Sequence, residues 1–364
     1  MKRNRKSSSD QEFNIGSAIE LTKVCIIRGD GTGPEVIDAT ISVLDALQDA
    51  VKGLQFEYVF AEAGLRSITK TGQSLPEETK EALRKCDCCL KGPVTTPEEP
   101  GSPKSAVIQI RNMFDLYANL RPVKVLPNVP SLRPDIDLLI VRENTEGLYS
   151  GIEFMTGPDA AVAIRLITRP ACERIARYAF RMAMNRRKQL TYVHKGNILK
   201  TTEAIFKDSV LKVAGEFPSV EVNEARIDAI AMNLIKNPER YDVIVTTNLF
   251  GDIISDEAAQ TVGGLGVAPG ANIGENYGMF EPVHGSAPKY EGLDKVNPIA
   301  TILAAKMMVE WLDSKEASDR IQNAVESVLR EGKVMTYDIA PQGSTPAKCS
   351  EMGRRIAQEI LNQR

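Results

Sequence analysis

A chain of 364 residues, 43 % apolar and 26 % charged, is longer than one compact core usually needs, which points to two domains or one enlarged α/β domain. The same composition excludes collagen-like, coiled-coil and wholly disordered chains. A net charge of −3 supplies no global basic field, so no nucleic acid and no membrane surface is expected as a partner, and any anion site must be local.

Residues 1–20, MKRNRKSSSDQEFNIGSAIE, are basic and then polar without an apolar stretch, and are expected to form a flexible tail rather than a secretory signal. Asp10, Glu12 and Glu20 count against a transit peptide, so a cytoplasmic location is expected ahead of a mitochondrial one. No uncharged apolar run reaches the roughly 18 residues of a membrane span. From Lys23, KVCIIRGDG reads as a buried strand with a Gly-rich turn, and PEVIDATISVLDALQDAV as an amphipathic helix opened by Pro34 and Glu35. LQFEYVFAEAG predicts a second strand, LPEETKEALRKC a helix, and CCLKGPVTTP a third strand running into a loop. The cluster Cys86-Asp87-Cys88-Cys89 has no second Cys/His pair at zinc-like spacing. Together with Cys25, Cys172 and Cys349, these thiols are expected to be reduced and mostly buried.

PEEPGSPKSA is a Pro/Gly/Ser loop leading into SAVIQIRNMFDLYANLRPVK, where flexibility and function are expected together. DIDLLIVREN and RYDVIVTTNLFGD predict strands, and PACERIARYAFRMAMNRRK a strongly amphipathic helix. After Gly263 the composition turns to glycine-rich loops, VGGLGVAPGANIG, followed by the near-continuously apolar helix NPIATILAAKMMVEWL, suited to a core or a subunit interface. Boundaries are placed near Phe114 and Val262.

Three arginines stand at element boundaries: Arg111 in IQIRN, Arg121 in NLRP and Arg142 in IVREN. Each presents a planar donor fork that matches a carboxylate, so together they suit a di- or tricarboxylic acid, although singly each also fits a surface ion pair. In NLFGDIISDEAAQ, Asp252 and Asp256 lie one turn apart. Asp252 reads equally as a helix N-cap, while Asp228 in RIDAIAMN adds a third carboxylate on an apolar background. Three carboxylates without local cations fit a hard ion such as Mg²⁺ or Mn²⁺. GDGTGPE departs from the dinucleotide fingerprint because Pro34 puts the last glycine out of register. Lys195 in YVHKGNI is either a solvated side chain or a proton donor that needs Tyr149 or a carboxylate within reach.

The set GDGTGPE, DLYANLRP, VRENTEGLYSGIE, VHKGNI, NLFGDIISDEAAQTVGGLGVAPGANIG and FEPVHGSAP, in this order from Lys23 to the C-terminus, resembles the β-decarboxylating dehydrogenases acting on isocitrate, 3-isopropylmalate, homoisocitrate and tartrate. The resemblance implies an α/β, isopropylmalate/isocitrate dehydrogenase-like two-domain fold, with a mixed central sheet flanked by helices rather than a Rossmann fold. Residues 21–114 and 263–364 would form a large, cofactor-side domain, and 115–262 a small domain with the dimer interface and an arm. It further implies that Arg111, Arg121 and Arg142 bind the malate-like carboxylates of a small hydroxy di- or tricarboxylate. Asp252 and Asp256, with Asp228 from the other subunit of a homodimer, would hold Mg²⁺ or Mn²⁺, and Tyr149 with the partner's Lys195 would handle protons.

By the same resemblance the cofactor contacts are Thr96, His284, Gly285, Ala287, Lys289, Tyr290, Asn297 and Tyr337. Lys289-Tyr290 and Tyr337 look like the 2′-phosphate contacts of NADP enzymes, with NAD the alternative; Pro341 and Asn237 stand where those enzymes have arginines. For the substrate's third substituent, Ser105 matches the S-x-N of isocitrate dehydrogenases, while Val107 replaces its asparagine and with Ile108 makes an apolar surface. Isocitrate is placed first, supported by the NADP-type residues and Lys348–Glu351, then isopropylmalate, then homoisocitrate. A non-catalytic regulatory subunit would be expected to lack an arginine, the lysine or a carboxylate, and none is missing.

Overall fold

The structure, a computed structural model, describes residues 20–363. The expected tail, apart from Glu20, lies outside the described residues. The first half of the chain forms β1 (Glu20–Ile27), α1 (Gly33–Ala50), β2 (Leu54–Ala61), α2 (Leu65–Thr71), α3 (Glu77–Lys85), β3 (Cys88–Lys91), α4 (Ala106–Met113), β4 (Ala118–Lys124), β5 (Asp137–Glu143), β6 (Glu153–Gly157), β7 (Ala160–Ala163) and α5 (Arg169–Met184). There follow β8 (Gln189–His194), α6 (Lys200–Ala214), β9 (Glu221–Arg226), α7 (Ile227–Lys236), β10 (Val243–Thr246), α8 (Asn248–Gln260), β11 (Pro269–Ile273), β12 (Gly278–Pro282), α9 (Ile299–Trp311), α10 (Lys315–Glu331) and α11 (Cys349–Asn362).

Ten strands make one mixed sheet in the order β2-β1-β3-β12-β11-β4-β5-β10-β8-β9. Both outer blocks are parallel, while the central pairs β12–β11, β11–β4 and β4–β5 are antiparallel, an order foreign to a Rossmann sheet. The inner parallel strands β3 and β10 and the second half of β1 are buried on both faces, which is why VCII and VIVT read as unbroken apolar runs.

One continuous core covers one face and takes in Val24 and Ile26 of β1, Leu120 of β4, Val141 of β5, Phe280 of β12 and the apolar stripes of α1, α5, α6, α9, α10 and α11. α9 is therefore core rather than interface. Two smaller clusters cover the opposite face, one around Cys25, Cys89 and Ile110, the other around Ile140, Leu234 and Ile254. All six cysteines are buried. No helix of the described residues is long and apolar enough to cross a membrane.

The segment expected to be glycine-rich loop contains a correction: Pro269–Ile273 is β11, fully buried at the centre of the sheet. Its composition hides it because proline is tolerated at the first residue of a strand and glycine marks a close approach. A side chain at Gly270 would sit 3.5 Å from Nε of Arg121.

Candidate active site

Strand alternation creates the site. On β3, β12, β11, β4 and β5 the residues facing away from the continuous core include Lys91, Glu281, Asn272, Asn119, Arg121 and Arg142, and register aligns them across the sheet: Asn272 opposite Asn119, and Asn119 opposite Arg142. A polar stripe thus runs between the two smaller apolar clusters. The Oδ1 of Asn272 accepts from Arg111 Nε (3.0 Å), Asn119 (2.7 Å) and Asn144 (3.0 Å), and its amide donates to Glu281 at 2.8 Å. Asn119 in turn accepts from Arg121 Nε at 2.8 Å. Each guanidinium therefore has one edge held by a neutral amide, leaving donors for a ligand.

Arg142 is almost fully buried; its Nε and Nη2 donate to Asn248 at 3.0 and 2.7 Å, its Nη1 pairs with Asp252, and its guanidinium lies 4.9 Å over the Tyr149 ring. The Tyr149 hydroxyl also donates to Asp252. Arg121 reaches Asp256 at 3.4 Å and Asp252 at 3.9 Å. Burial pushes the Arg111 guanidinium down to about 10, opposed by Glu281 and reinforced by Arg142 and Arg121, so it stays charged at neutral pH. Burial alone would raise the Asp252 carboxyl; Arg142, the Tyr149 hydroxyl and Arg121 outweigh it and hold the group below the usual carboxylate range. Asp256 moves the other way, raised by burial and by Asp252 against the pull of Arg121. Burial and Asp252 raise the Tyr149 phenol, which stays protonated.

The expectation that the three aspartates lack local cations is corrected: Asp252 and Asp256 meet arginines, and Asp228 pairs with Lys195 Nζ at 3.0 Å. These pairs join residues 33 or more positions apart, so no local pattern announces them. Nor is Asp252 an N-cap; α8 begins at Asn248 with Thr247 as cap, which puts Asp252 in its second turn. The structure gathers Arg111, Arg121, Arg142, Tyr149, Asp252 and Asp256, and keeps the Lys195–Asp228 pair elsewhere. Among the described residues no three His, Cys, Asp or Glu side chains gather in a way that could hold a metal. The two carboxylates brought together here are Asp252 and Asp256, both on α8.

Ser105 stands at the N-cap position of α4 without a side-chain capping bond, and Val107 lies in the first turn, packed against the cluster around Ile110. The cofactor candidates line the other end of the stripe. Thr96 is exposed in the loop after β3, and Gly285 has open space where a Cβ would stand. Ala287 adopts a left-handed φ of 40°, a conformation sustained only where the surroundings demand it. His284 Nδ1–H donates to the Gly285 carbonyl (3.0 Å), while its Nε2 is buried without a partner. That orphaned nitrogen fits a group that a bound nucleotide would meet. Burial lowers the imidazole, which is neutral at pH 7. Asn297 donates to Asp338 at 3.0 Å.

GDGTGPE is not a phosphate cradle: Thr32 N–H donates to the Ser286 carbonyl at 2.9 Å, and a Cβ on Gly31, whose φ is 54°, would strike that oxygen. The motif props the 284–290 loop from beneath. Asn119, Asn144, Asn248, Asn272, Lys91 and Glu281 escaped sequence reasoning as members of the site; the signal was a polar residue inside an apolar strand, as in YANLRP and GANIG.

Lys91 and Glu281 form a buried pair at 2.8 Å. Burial would raise the Glu281 carboxyl, but Lys91 and Arg111 hold it down at about 2. Because the folded value lies below the unfolded one, this stabilisation is present above about pH 4.5 and is lost as pH falls toward 2. Glu281→Gln strands the lysine and is expected to cost about 3–5 kcal/mol at pH 7. Urea unfolding at pH 7, 5 and 3 should show the gap to the parent narrowing with acidity; a constant gap would refute the assignment.

The family model described as isocitrate/isopropylmalate dehydrogenase matches residues 23–356. The chain is 46 % identical over 342 residues to a 3-isopropylmalate/3-methylmalate dehydrogenase of Methanocaldococcus jannaschii, covering 93 % of this chain and 99 % of that one. It is 48 % identical over 328 residues to the isocitrate/homoisocitrate dehydrogenase of Thermus thermophilus, covering 89 % and 96 %. The crystal structure of isocitrate dehydrogenase from Methylococcus capsulatus superimposes with a TM-score of 0.88 at 40 % identity, over 93 % of this chain and 99 % of that one.

Proposed function

The chain belongs to the isocitrate/isopropylmalate dehydrogenase family, and from that premise we propose that it oxidatively decarboxylates a 2-hydroxy-3-carboxy acid, isocitrate first, with NADP and Mg²⁺ or Mn²⁺. The observation that carries this is three buried or nearly buried guanidiniums, edge-held by amides, facing two carboxylates on α8. Asp252 and Asp256 are hard oxygen donors one turn apart, and Asp228 of a second copy would complete the set. A divalent ion held by these carboxylates would supply Lewis-acid chemistry at the substrate hydroxyl and at the charge left by decarboxylation, and NADP would supply the hydride acceptor.

The chain's own residues do the rest. Arg111, Arg121 and Arg142 fix the two carboxylates of the malate unit, each guanidinium already desolvated and so costing little reorganisation on binding. Tyr149, protonated beside Asp252, is placed to give a proton, and Lys195 of the second copy to exchange one with the hydroxyl. A dimer is supported by apolar side chains left exposed on one chain: Phe154 and Met155 on the β6–β7 hairpin, Met232 and Ile235 on α7, and Ile253 on α8. The large domain of residues 21–114 and 263–364 and the small domain of 115–262 fit a cofactor side and a dimer side respectively.

Isocitrate is placed ahead because Ser105 offers a hydroxyl to a third carboxylate and because lysines and tyrosines cluster at the cofactor loop. A second reading, isopropylmalate with NAD, is favoured by Val107, which packs into the apolar cluster at the start of α4. Initial rates with Mg²⁺, isocitrate, isopropylmalate and homoisocitrate, each with NADP and NAD, decide between them. Isocitrate with NADP is expected to give the highest kcat/KM; isopropylmalate with NAD running faster would reverse the order.

A further inference from the structure

Four side chains of the cofactor end form a basic aromatic nest. The Lys295 ammonium lies 4.9 Å from the Tyr290 ring centre and 4.6 Å from that of Tyr337, and Lys289 lies 4.8 Å over Tyr290. The two rings are 5.7 Å apart and tilted by 56°. The neighbouring carboxylates are engaged elsewhere: Glu291 with Arg66 at 2.5 Å, Asp294 with the Ser350 hydroxyl at 2.6 Å, and Asp338 with Asn297 and Thr336. Neither lysine has a carboxylate partner among the described residues. Two like charges thus converge on one aromatic pair without a counter-ion, an arrangement that favours a doubly charged anion.

We propose that Lys295, rather than the exposed Lys289 alone, selects the cofactor by pairing with its ribose 2′-phosphate. This rests on the NADP reading above. Lys289 is exposed and touches one ring, so ordering it on a ligand costs rotamer freedom. Lys295 is half-buried and held by two rings, so its ammonium is already positioned before the ligand arrives.

The test compares the parent, Lys295→Met and Lys295→Arg. The first readout is the ratio of kcat/KM for NADP to that for NAD. The second, independent of turnover, is the Kd of adenosine 2′,5′-bisphosphate relative to adenosine 5′-monophosphate by titration calorimetry. Lys295→Met is expected to lower the kcat/KM ratio about tenfold or more and to raise the relative Kd equally, the size of one charge-assisted contact. Lys295→Arg is expected to recover most of both. If Lys295→Met moves NADP and NAD alike, or leaves the relative Kd unchanged, Lys295 is not the selector. A parent enzyme that prefers NAD would overturn the NADP reading itself, before any substitution is made, and this inference with it.

Discussion

Asp252→Asn is expected to lower kcat/KM by roughly two to three orders of magnitude and to raise the Mn²⁺ concentration for half-maximal rate at least tenfold. The carboxylate pairs with Arg142 and accepts from Tyr149, and on the proposed assignment it would also offer an oxygen to the metal. Asparagine keeps the shape but removes the charge that balances Arg142 and that, on the proposed assignment, would hold the metal. The fold should survive, because Arg142 keeps both bonds to Asn248. Titration of initial rate with Mn²⁺, beside a urea unfolding curve, separates the effects. An unchanged metal requirement would sink the assignment of Asp252 as a ligand.

Gly251→Ala is the second large effect, and it works without touching a charge. A Cβ at this position would stand 2.6 Å from Arg142 Cγ, 2.7 Å from its Cβ and 3.2 Å from Thr246 Cγ2. These are the near atoms of a buried stem, not a flexible tip, so α8 or the arginine must shift. The expected result is a 10- to 100-fold rise in KM for the hydroxy acid, since small misplacements of a binding group cost that much, with about 1–3 kcal/mol of stability lost to overpacking. KM for the cofactor should move far less, because the candidate contacts lie on the 284–297 segment, at Thr96 and at Tyr337, none of which meets a Cβ placed at Gly251. Equal changes in both KM values would mean general unfolding instead.

The glycine of NLFGD is legible in the sequence as a residue, but its reason is not. It lies next to an arginine more than a hundred positions earlier, and only the pairing of β5 with β10 brings them together. The same division runs through the molecule. The first strand, α1 and α9 could be read directly, because their burial follows from runs and periods within one segment. The arginines and the α8 carboxylates could be nominated by residue type and placement.

The polar stripe could not be read that way, since it depends on the register of five strands whose order departs from chain order. β11 was missed for a related reason: a strand of Pro, Gly, Ala, Asn and Ile carries no propensity signal, and its place is set by the neighbours it fits between. The ion pairs of Asp228, Asp252 and Asp256 were missed because each partner comes from another element.

The buried Asn272 amide has a consequence for descent. Its one oxygen meets three donors, so few substitutions there are tolerable, and the arginine scaffold built on it has little freedom to drift. Ser105 and Val107, by contrast, sit half-buried at the start of α4, one turn before the Arg111 that ties this helix to Asn272. On the proposed assignment, grip on the shared acid unit and choice of its third substituent fall on successive turns of α4, the grip fixed by Asn272 and the choice left to the helix start. On that assignment a lineage can change what it accepts through the first turn of α4 while the Asn272 anchor keeps the inherited grip.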